Sequence, residues 1–154
     1  MEDRSLSFET SIWIAAARDR VWQAITEPKQ LEQWFVPGSP WEMPSLEVGA
    51  PVKFYFGGTD VQDAVIEVVD ALTQFRLRWQ PHDSHPETIM VTSFTLADEN
   101  DGTRVTVHEA AYKAVPDELR HEQVKLEDNG TEIIAANLKA FVEGVPLPYP
   151  ATGS

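Results

Sequence analysis

The sequence contains no cysteine among its 154 residues, and this absence excludes several kinds of site at once. Disulfide bridges, thiolate-bound zinc, iron–sulfur clusters and thiol nucleophiles all require cysteine. Basic residues are also scarce, because 12 lysines and arginines stand against 25 aspartates and glutamates, for a formal charge of −13. The phosphates of nucleic acids and anionic membrane surfaces both select basic proteins. We therefore expect neither a nucleic acid nor a membrane as a partner.

Long apolar runs are missing as well, since no stretch reaches the roughly 18 residues that a membrane-spanning helix needs. The first ten residues lack the basic start and apolar stretch of a signal peptide, so we expect a cytoplasmic protein. The sequence has no Gly-x-Ser-x-Gly motif and no glycine-rich loop that continues into Lys and a helix. Nucleophilic catalysis and phosphate binding are therefore disfavoured, and we expect no cofactor.

The length of the chain and the prolines near its end predict one domain over residues 1–145 and a proline-rich tail over residues 146–154. Apolar residues make up 42% of the chain, which is enough for a full core. Alternating apolar residues predict strands, and helical spacing predicts helices. The predicted strands cover residues 8–14, 52–56, 62–70, 75–80, 88–97 and 103–112, with a further short one near 46–48; the predicted helices cover residues 18–26, 29–35 and 116 to about 143.

This order of elements predicts an α+β fold. Consecutive strands with short connections, such as the turn at residues 98–102, form antiparallel sheets. Only one long amphipathic helix is available to cover the sheet. We therefore expect a curved antiparallel sheet of about six strands, in the order β-α-α-β4–5-α, wrapped around the C-terminal helix.

Several local motifs are similar to one known family. Residues 14–35 read IAAARDRVWQAITEPKQLEQWF, with Val-Trp, Glu-Pro and Trp-Phe in a characteristic spacing. Supporting matches are VIEV at 65–68, FRLRW at 75–79, GTRVTV at 102–107 and NLKAFVEG at 137–144. Together they resemble the SRPBCC (START-like, helix-grip) superfamily, and the branch resembles the homologues of the activator of the heat-shock-protein-90 ATPase. The resemblance covers residues 8–144 and implies a ligand cavity between the sheet and the terminal helix.

The terminal helix departs from the family pattern at two positions. Relatives carry Gly-Trp followed by Leu four residues after the Trp, whereas this chain has Gly130-Thr131 and Ala135. If this helix face lines the cavity, the smaller side chains imply a wider interior. Alternatively, Trp41, Trp79 or Met90 fills the space.

Ligand-contact candidates are the inward residues of the predicted sheet and helix, in line with the apolar lining of most ligand pockets. They are Trp34, Phe35, Trp41, Phe54, Phe56, Trp79, Met90, Phe94, Val107, Glu109, Thr131, Ile134, Ala135 and Leu138. The alternative is that these residues are ordinary core.

Glu109 is the main polar candidate, because it follows Val105 and Val107 at strand spacing and so faces inward. An inward carboxyl can orient a ligand or act as a general base. The alternative is a glutamate at the strand end that reaches solvent or pairs with Lys or Arg.

The remaining candidates are weaker. His82, Asp83 and His85 are metal-ligand types, but the flanking prolines predict a solvated loop, so we expect no metal. His108 is predicted on the outer sheet face and His121 on the helix surface. Trp13 is predicted on the convex face, either as the contact of a homodimer or as a shielded surface aromatic.

The sequence is compatible with three functions. The leading hypothesis is a non-enzymatic module that binds a small apolar or amphipathic molecule. The resemblance also implies a protein-interaction role with a chaperone partner, by analogy with the ATPase activators. The third hypothesis is an enzyme of the cyclase or hydratase kind that uses Glu109.

Overall fold

The structure, a computed structural model, describes residues 6–56, 60–80, 89–112 and 130–150. Ten elements follow one another in these ranges. They are β1 (Leu6–Ile14), α1 (Arg18–Thr26), α2 (Pro28–Trp34), β2 (Trp41–Glu42), β3 (Pro51–Phe56), β4 (Asp60–Asp70), β5 (Gln74–Trp79), β6 (Ile89–Glu99), β7 (Gly102–Tyr112) and α3 (Gly130–Glu143).

The strands form one antiparallel sheet in the order β1-β7-β6-β5-β4-β3-β2. The first strand pairs with the last along its whole length, from Leu6 opposite Ala111 to Ile14 opposite Thr103. The predicted α+β helix-grip fold is confirmed. The sheet has seven strands rather than about six, because Trp41 and Glu42 pair with β3. The strand predicted near residues 46–48 is wrong, since this segment pairs with no strand and Leu46 and Val48 are exposed.

The predicted turn between β6 and β7 is confirmed as a two-residue hairpin turn. Asn100 and Asp101 both have positive φ, at 47° and 64°. Two consecutive residues in this region form a type I′ turn, whose twist matches that of the strands it joins. Asn and Asp tolerate the left-handed region better than other non-glycine residues. The turn fixes the β6–β7 register that the candidate site depends on.

Helices α1 and α2 pack against one end of the concave sheet face. Val21 and Ile25 of α1 are fully buried, and the ring of Trp22 meets Phe75 edge to face. Pro28 occupies the first turn of α2, where its missing N–H costs no helical hydrogen bond. The Trp34 indole donates to the Ala24 carbonyl across 2.8 Å and joins the two helices.

Helix α3 lies along β1 and β7 and covers the concave face. Near its start, the hydroxyls of Thr131 and Thr10 are 2.7 Å apart. At its end, Glu143 Oε2 accepts the Ala15 backbone N–H at 2.9 Å. The predicted helical segment before Gly130 lies outside the described residues.

The C-terminal segment folds back onto α3 as far as Tyr149. Asn137 Nδ2 donates to the Tyr149 carbonyl at 2.8 Å, and the Tyr149 N–H donates to Asn137 Oδ1 at 3.0 Å. Leu147 packs against the core. The domain limit at residue 145 stays a prediction.

Trp13 lies on the face of β1 away from the core and has partners within the chain. Its indole donates to the Glu99 carbonyl at 2.7 Å, and the Lys139 ammonium lies 5.3 Å from its ring centre. These contacts favour the shielded aromatic over the dimer contact. Within the described ranges, no helix is long and apolar enough to cross a membrane.

Candidate ligand-binding site

The concave face carries a continuous aromatic cluster where α2, β2, β3 and β5 meet. Phe35 contacts Trp41 and Phe54 edge to face, with ring centres 5.2 and 5.7 Å away. Trp41 and Phe54 are 4.6 Å apart, and each lies 6.1 Å from Trp79. Such tilted and edge-to-face contacts are the favoured geometry for aromatic pairs. The cluster forms an apolar wall that ends at Trp79.

Beside Trp79, a hydrogen-bonded row crosses three neighbouring strands. The Trp79 indole on β5 donates to Thr92 Oγ1 on β6 at 3.0 Å. Thr92 Oγ1 in turn donates to Glu109 Oε2 on β7 at 3.1 Å. Thr92 lies directly opposite Glu109 in the β6–β7 register, and Met90 directly opposite Trp79. We call Trp79, Met90, Thr92 and Glu109 the acidic end of the concave face.

Glu109 faces inward, as the alternation with Val105 and Val107 predicts, because its Thr92 partner lies on the concave face. The residue is partly buried. Burial raises the pKa of the Glu109 carboxyl, and the smaller effect of the Thr92 hydrogen bond opposes the rise. In the part of the chain that the structure describes, no Lys or Arg forms an ion pair with Glu109. The alternative of a paired surface glutamate is therefore not supported within these residues.

The other candidates divide by burial into two groups. Side chains with almost no exposed surface are Trp34, Phe35, Trp41, Phe54, Phe94, Val107, Thr131, Ala135 and Leu138. Those with partial exposure are Trp79, Met90, Glu109 and Ile134, while Phe56 is 46% exposed at the end of β3. The first group supports the wall of the concave face. The second group keeps surface that is exposed to solvent.

The two small helix residues are buried. Ala135 exposes no surface, and Thr131 is 3% exposed with its hydroxyl bonded to Thr10. The wider interior predicted beside Thr131 and Ala135 stays a prediction.

Two features of the site were not predicted from the sequence. Thr92 was not predicted, although strand alternation places it on the same inward face as Met90 and Phe94. The second feature is the Trp41 indole N–H, which is buried and has no hydrogen-bond partner within the described ranges. A buried unpaired donor costs roughly 1–3 kcal/mol of stability.

The His, Asp and Glu side chains of the described residues do not form a metal-binding cluster. Across residues 6–56, 60–80, 89–112 and 130–150, no three His, Asp or Glu side chains converge as a metal site. His108 lies opposite Ser93 in the ladder, one position from Glu109 and hence on the other sheet face, as predicted. His82, Asp83, His85 and His121 lie outside the described residues.

Solved structures share the fold over most of this chain. DynU16, a protein of the dynemicin biosynthetic locus, superposes with a TM-score of 0.72 at 23% identity. The match covers 93% of this chain but only 49% of DynU16, so the chain spans about half the length of that protein. MLL2253 from Mesorhizobium loti superposes with a TM-score of 0.72 at 16% identity and covers 92% of this chain and 100% of its own. CalU16 from Micromonospora echinospora gives 0.62 at 21% identity, with 92% and 77% covered.

Because these structures are less than 25% identical to this chain, they establish the fold alone. No functionally curated protein matches the sequence. The sequence profile described as "Activator of Hsp90 ATPase homolog 1-like protein" matches residues 15–143, which is most of the chain. The chain therefore belongs to the family of activator of Hsp90 ATPase homolog 1-like proteins, within the SRPBCC superfamily.

Proposed function

We propose that this chain binds a small apolar or amphipathic molecule at the acidic end of the concave face. The observation that carries the proposal is Glu109, a desolvated carboxyl on the concave face that is bonded through Thr92 to Trp79 and has no basic partner among the described residues. Burying such a group costs stability, whereas an apolar side chain at the same position would not. A ligand that uses the carboxyl gives a reason for retaining it.

The burial pattern supports this location. Trp79 and Met90 keep part of their surface exposed, and Phe8 does so directly opposite Glu109 on β1. Ligand sites combine mostly apolar walls with a few placed polar groups, and this end of the face has that composition. The fully buried aromatic residues behind it hold the wall in place, because close-packed interiors do not deform readily.

The test is a titration of the purified full chain with the apolar probe 2-ethylnaphthalene, in which ligand-observed NMR measures binding. We expect saturable binding that Met90→Trp weakens by at least about tenfold, since the larger ring occupies the accessible end. Trp13→Phe is the matched control, because Trp13 lies on the other sheet face. We expect this variant to leave the probe affinity unchanged.

Native mass spectrometry of the untreated protein is the second measurement, and we expect a co-purified small molecule. Absence of binding by the wild type, or equal weakening by the two variants, would contradict the proposal.

A second candidate is regulation of a chaperone ATPase, which the family description favours. Family membership is an associational argument, because one fold hosts many functions. The test adds purified chain to purified Hsp90 and measures ATP hydrolysis. Stimulation that survives Met90→Trp would favour this role over ligand binding.

A third candidate is an enzyme in which Glu109 acts as a general acid or base. The raised pKa of its carboxyl favours this role, since acid–base catalysts work best with a pKa close to the working pH. If a ligand found in the native spectrum is converted to product over time, Glu109→Gln must abolish the conversion. Unchanged turnover by that variant would exclude the role.

A further inference from the structure

We infer that the acidic end of the concave face selects a neutral ligand carrying a hydrogen-bond acceptor, such as the carbonyl oxygen of an aromatic ketone, over an organic cation. The inference rests on the proposed function and adds the chemical class of the ligand. Two observations carry it: the direction of the hydrogen bonds in the row and the shortage of donors around Glu109.

The direction of the row follows from its first member. An indole N–H can only donate, so Thr92 Oγ1 must accept from Trp79. The single hydroxyl proton of Thr92 is then free to donate to Glu109 Oε2. Glu109 Oε2 is therefore an acceptor in the row, and a proton held by this carboxyl is carried by Oε1.

The surroundings of Glu109 favour that protonated form. An ionised carboxylate has about four acceptor positions, and Thr92 is its one hydrogen-bond donor in the described part of the chain. The neighbours across the ladder are Phe8 on β1 and Thr92 on β6, and neither is charged. On α3, Glu132 is exposed, and Lys139 is committed to Glu143 and the Trp13 carbonyl. Burial raises the pKa of Glu109, which agrees with a neutral acid that donates through Oε1.

A neutral carboxyl that donates through Oε1, set beside the Trp79 end of an aromatic wall, complements a neutral molecule with an acceptor oxygen.

The test compares three ligands of one shape: 2-acetylnaphthalene, 2-ethylnaphthalene and 1-(2-naphthyl)ethylamine. They present an acceptor, no polar group and a cation, respectively. We expect the ketone to bind the wild type roughly tenfold more tightly than the hydrocarbon, the effect of about one hydrogen bond. We expect the amine to bind more weakly than the ketone.

Two variants locate the effect at Glu109. The amide of Glu109→Gln accepts from Thr92 through its oxygen and donates through its nitrogen, so we expect this variant still to prefer the ketone over the hydrocarbon. Glu109→Leu removes the donor at Oε1, and we expect it to lose most of the preference for the ketone over the hydrocarbon. Thermal unfolding of each variant verifies folding. If Glu109→Leu does not fold, Glu109→Gln and the pH series still decide.

The pH series gives a separate signature, measured between about pH 4.5 and pH 9. Ketone affinity should fall in the wild type as pH rises through the raised pKa of Glu109, because the donating proton is lost. The affinity of Glu109→Gln should stay constant over the same range.

The outcomes separate the two proposals. If none of the three ligands binds, the proposed function fails and the inference fails with it. If all bind but the hydrocarbon equals the ketone, or the amine binds most tightly, ligand binding stands and the inference is overturned. A loss of ketone binding in Glu109→Gln would also overturn it, because this result shows that the charge is required.

Discussion

Asn137→Ala is expected to destabilise the domain strongly, because one side chain connects three parts of the chain. Asn137 is 2% exposed and lies on the face of α3 that packs near α2. Its Nδ2 donates to the Trp34 carbonyl at 3.1 Å and to the Tyr149 carbonyl at 2.8 Å. Its Oδ1 accepts the Tyr149 N–H at 3.0 Å. The substitution removes all three hydrogen bonds.

The magnitude follows from the burial of each bond. The bond to Trp34 is buried, so its loss leaves a carbonyl without a partner at a cost of about 1–3 kcal/mol. The two bonds to Tyr149 are partly exposed, and water replaces them at about 0.5–1 kcal/mol each. We therefore expect a total loss of roughly 2–5 kcal/mol.

The assay is urea unfolding followed by tryptophan fluorescence, in the full chain and in a chain that ends at Val145. The truncated chain lacks Tyr149, so Asn137→Ala should cost about 1–2 kcal/mol less there. Glu132→Gln, an exposed change on the same helix, is the control and should stay within about 0.5 kcal/mol of wild type. A loss below about 0.5 kcal/mol for Asn137→Ala, or the same loss in both chains, would refute the reasoning.

Three further predictions concern stability. Gly102→Ala should lower the free energy of unfolding in urea by about 2–4 kcal/mol. The new Cβ would lie 2.4 Å from the Ile14 carbonyl oxygen and 2.8 Å from the Trp13 ring, and the hydrogen bond to Glu99 holds that ring in place. An unchanged stability would mean that β1 shifts freely. Glu109→Gln should gain stability relative to wild type as pH rises from the ordinary carboxyl pKa of 4.5 through the raised pKa of Glu109. The folded wild type binds the Glu109 proton more tightly than the unfolded chain does, and it loses that stabilisation when the carboxyl is deprotonated. Parallel curves of unfolding free energy against pH for the two proteins would contradict this prediction. Thr131→Val should cost about 1 kcal/mol by leaving the Thr10 hydroxyl unpaired, and its loss should disappear in the Thr10→Val background.

Periodicity in the sequence was sufficient to predict the fold class and most of the elements. Val52 and Phe54 alternate with polar neighbours because one sheet face is buried, and that alternation is visible without coordinates. The Asn100-Asp101 turn was predictable because only a few residue types tolerate two consecutive positive φ values. The strand at Trp41–Glu42 was not, since two residues carry no period and β3 alone determines their pairing.

The inward direction of Glu109 was determined by the sequence, because strand alternation fixes which face a residue occupies. Its partners were decided by tertiary structure. Thr92 and Trp79 reach Glu109 only through the β5–β6–β7 register, and Trp41 meets Trp79 only because distant segments fold together. Local pattern specifies what each element buries, whereas hydrogen-bond partners across strands and the desolvation that raises a pKa depend on which elements become neighbours.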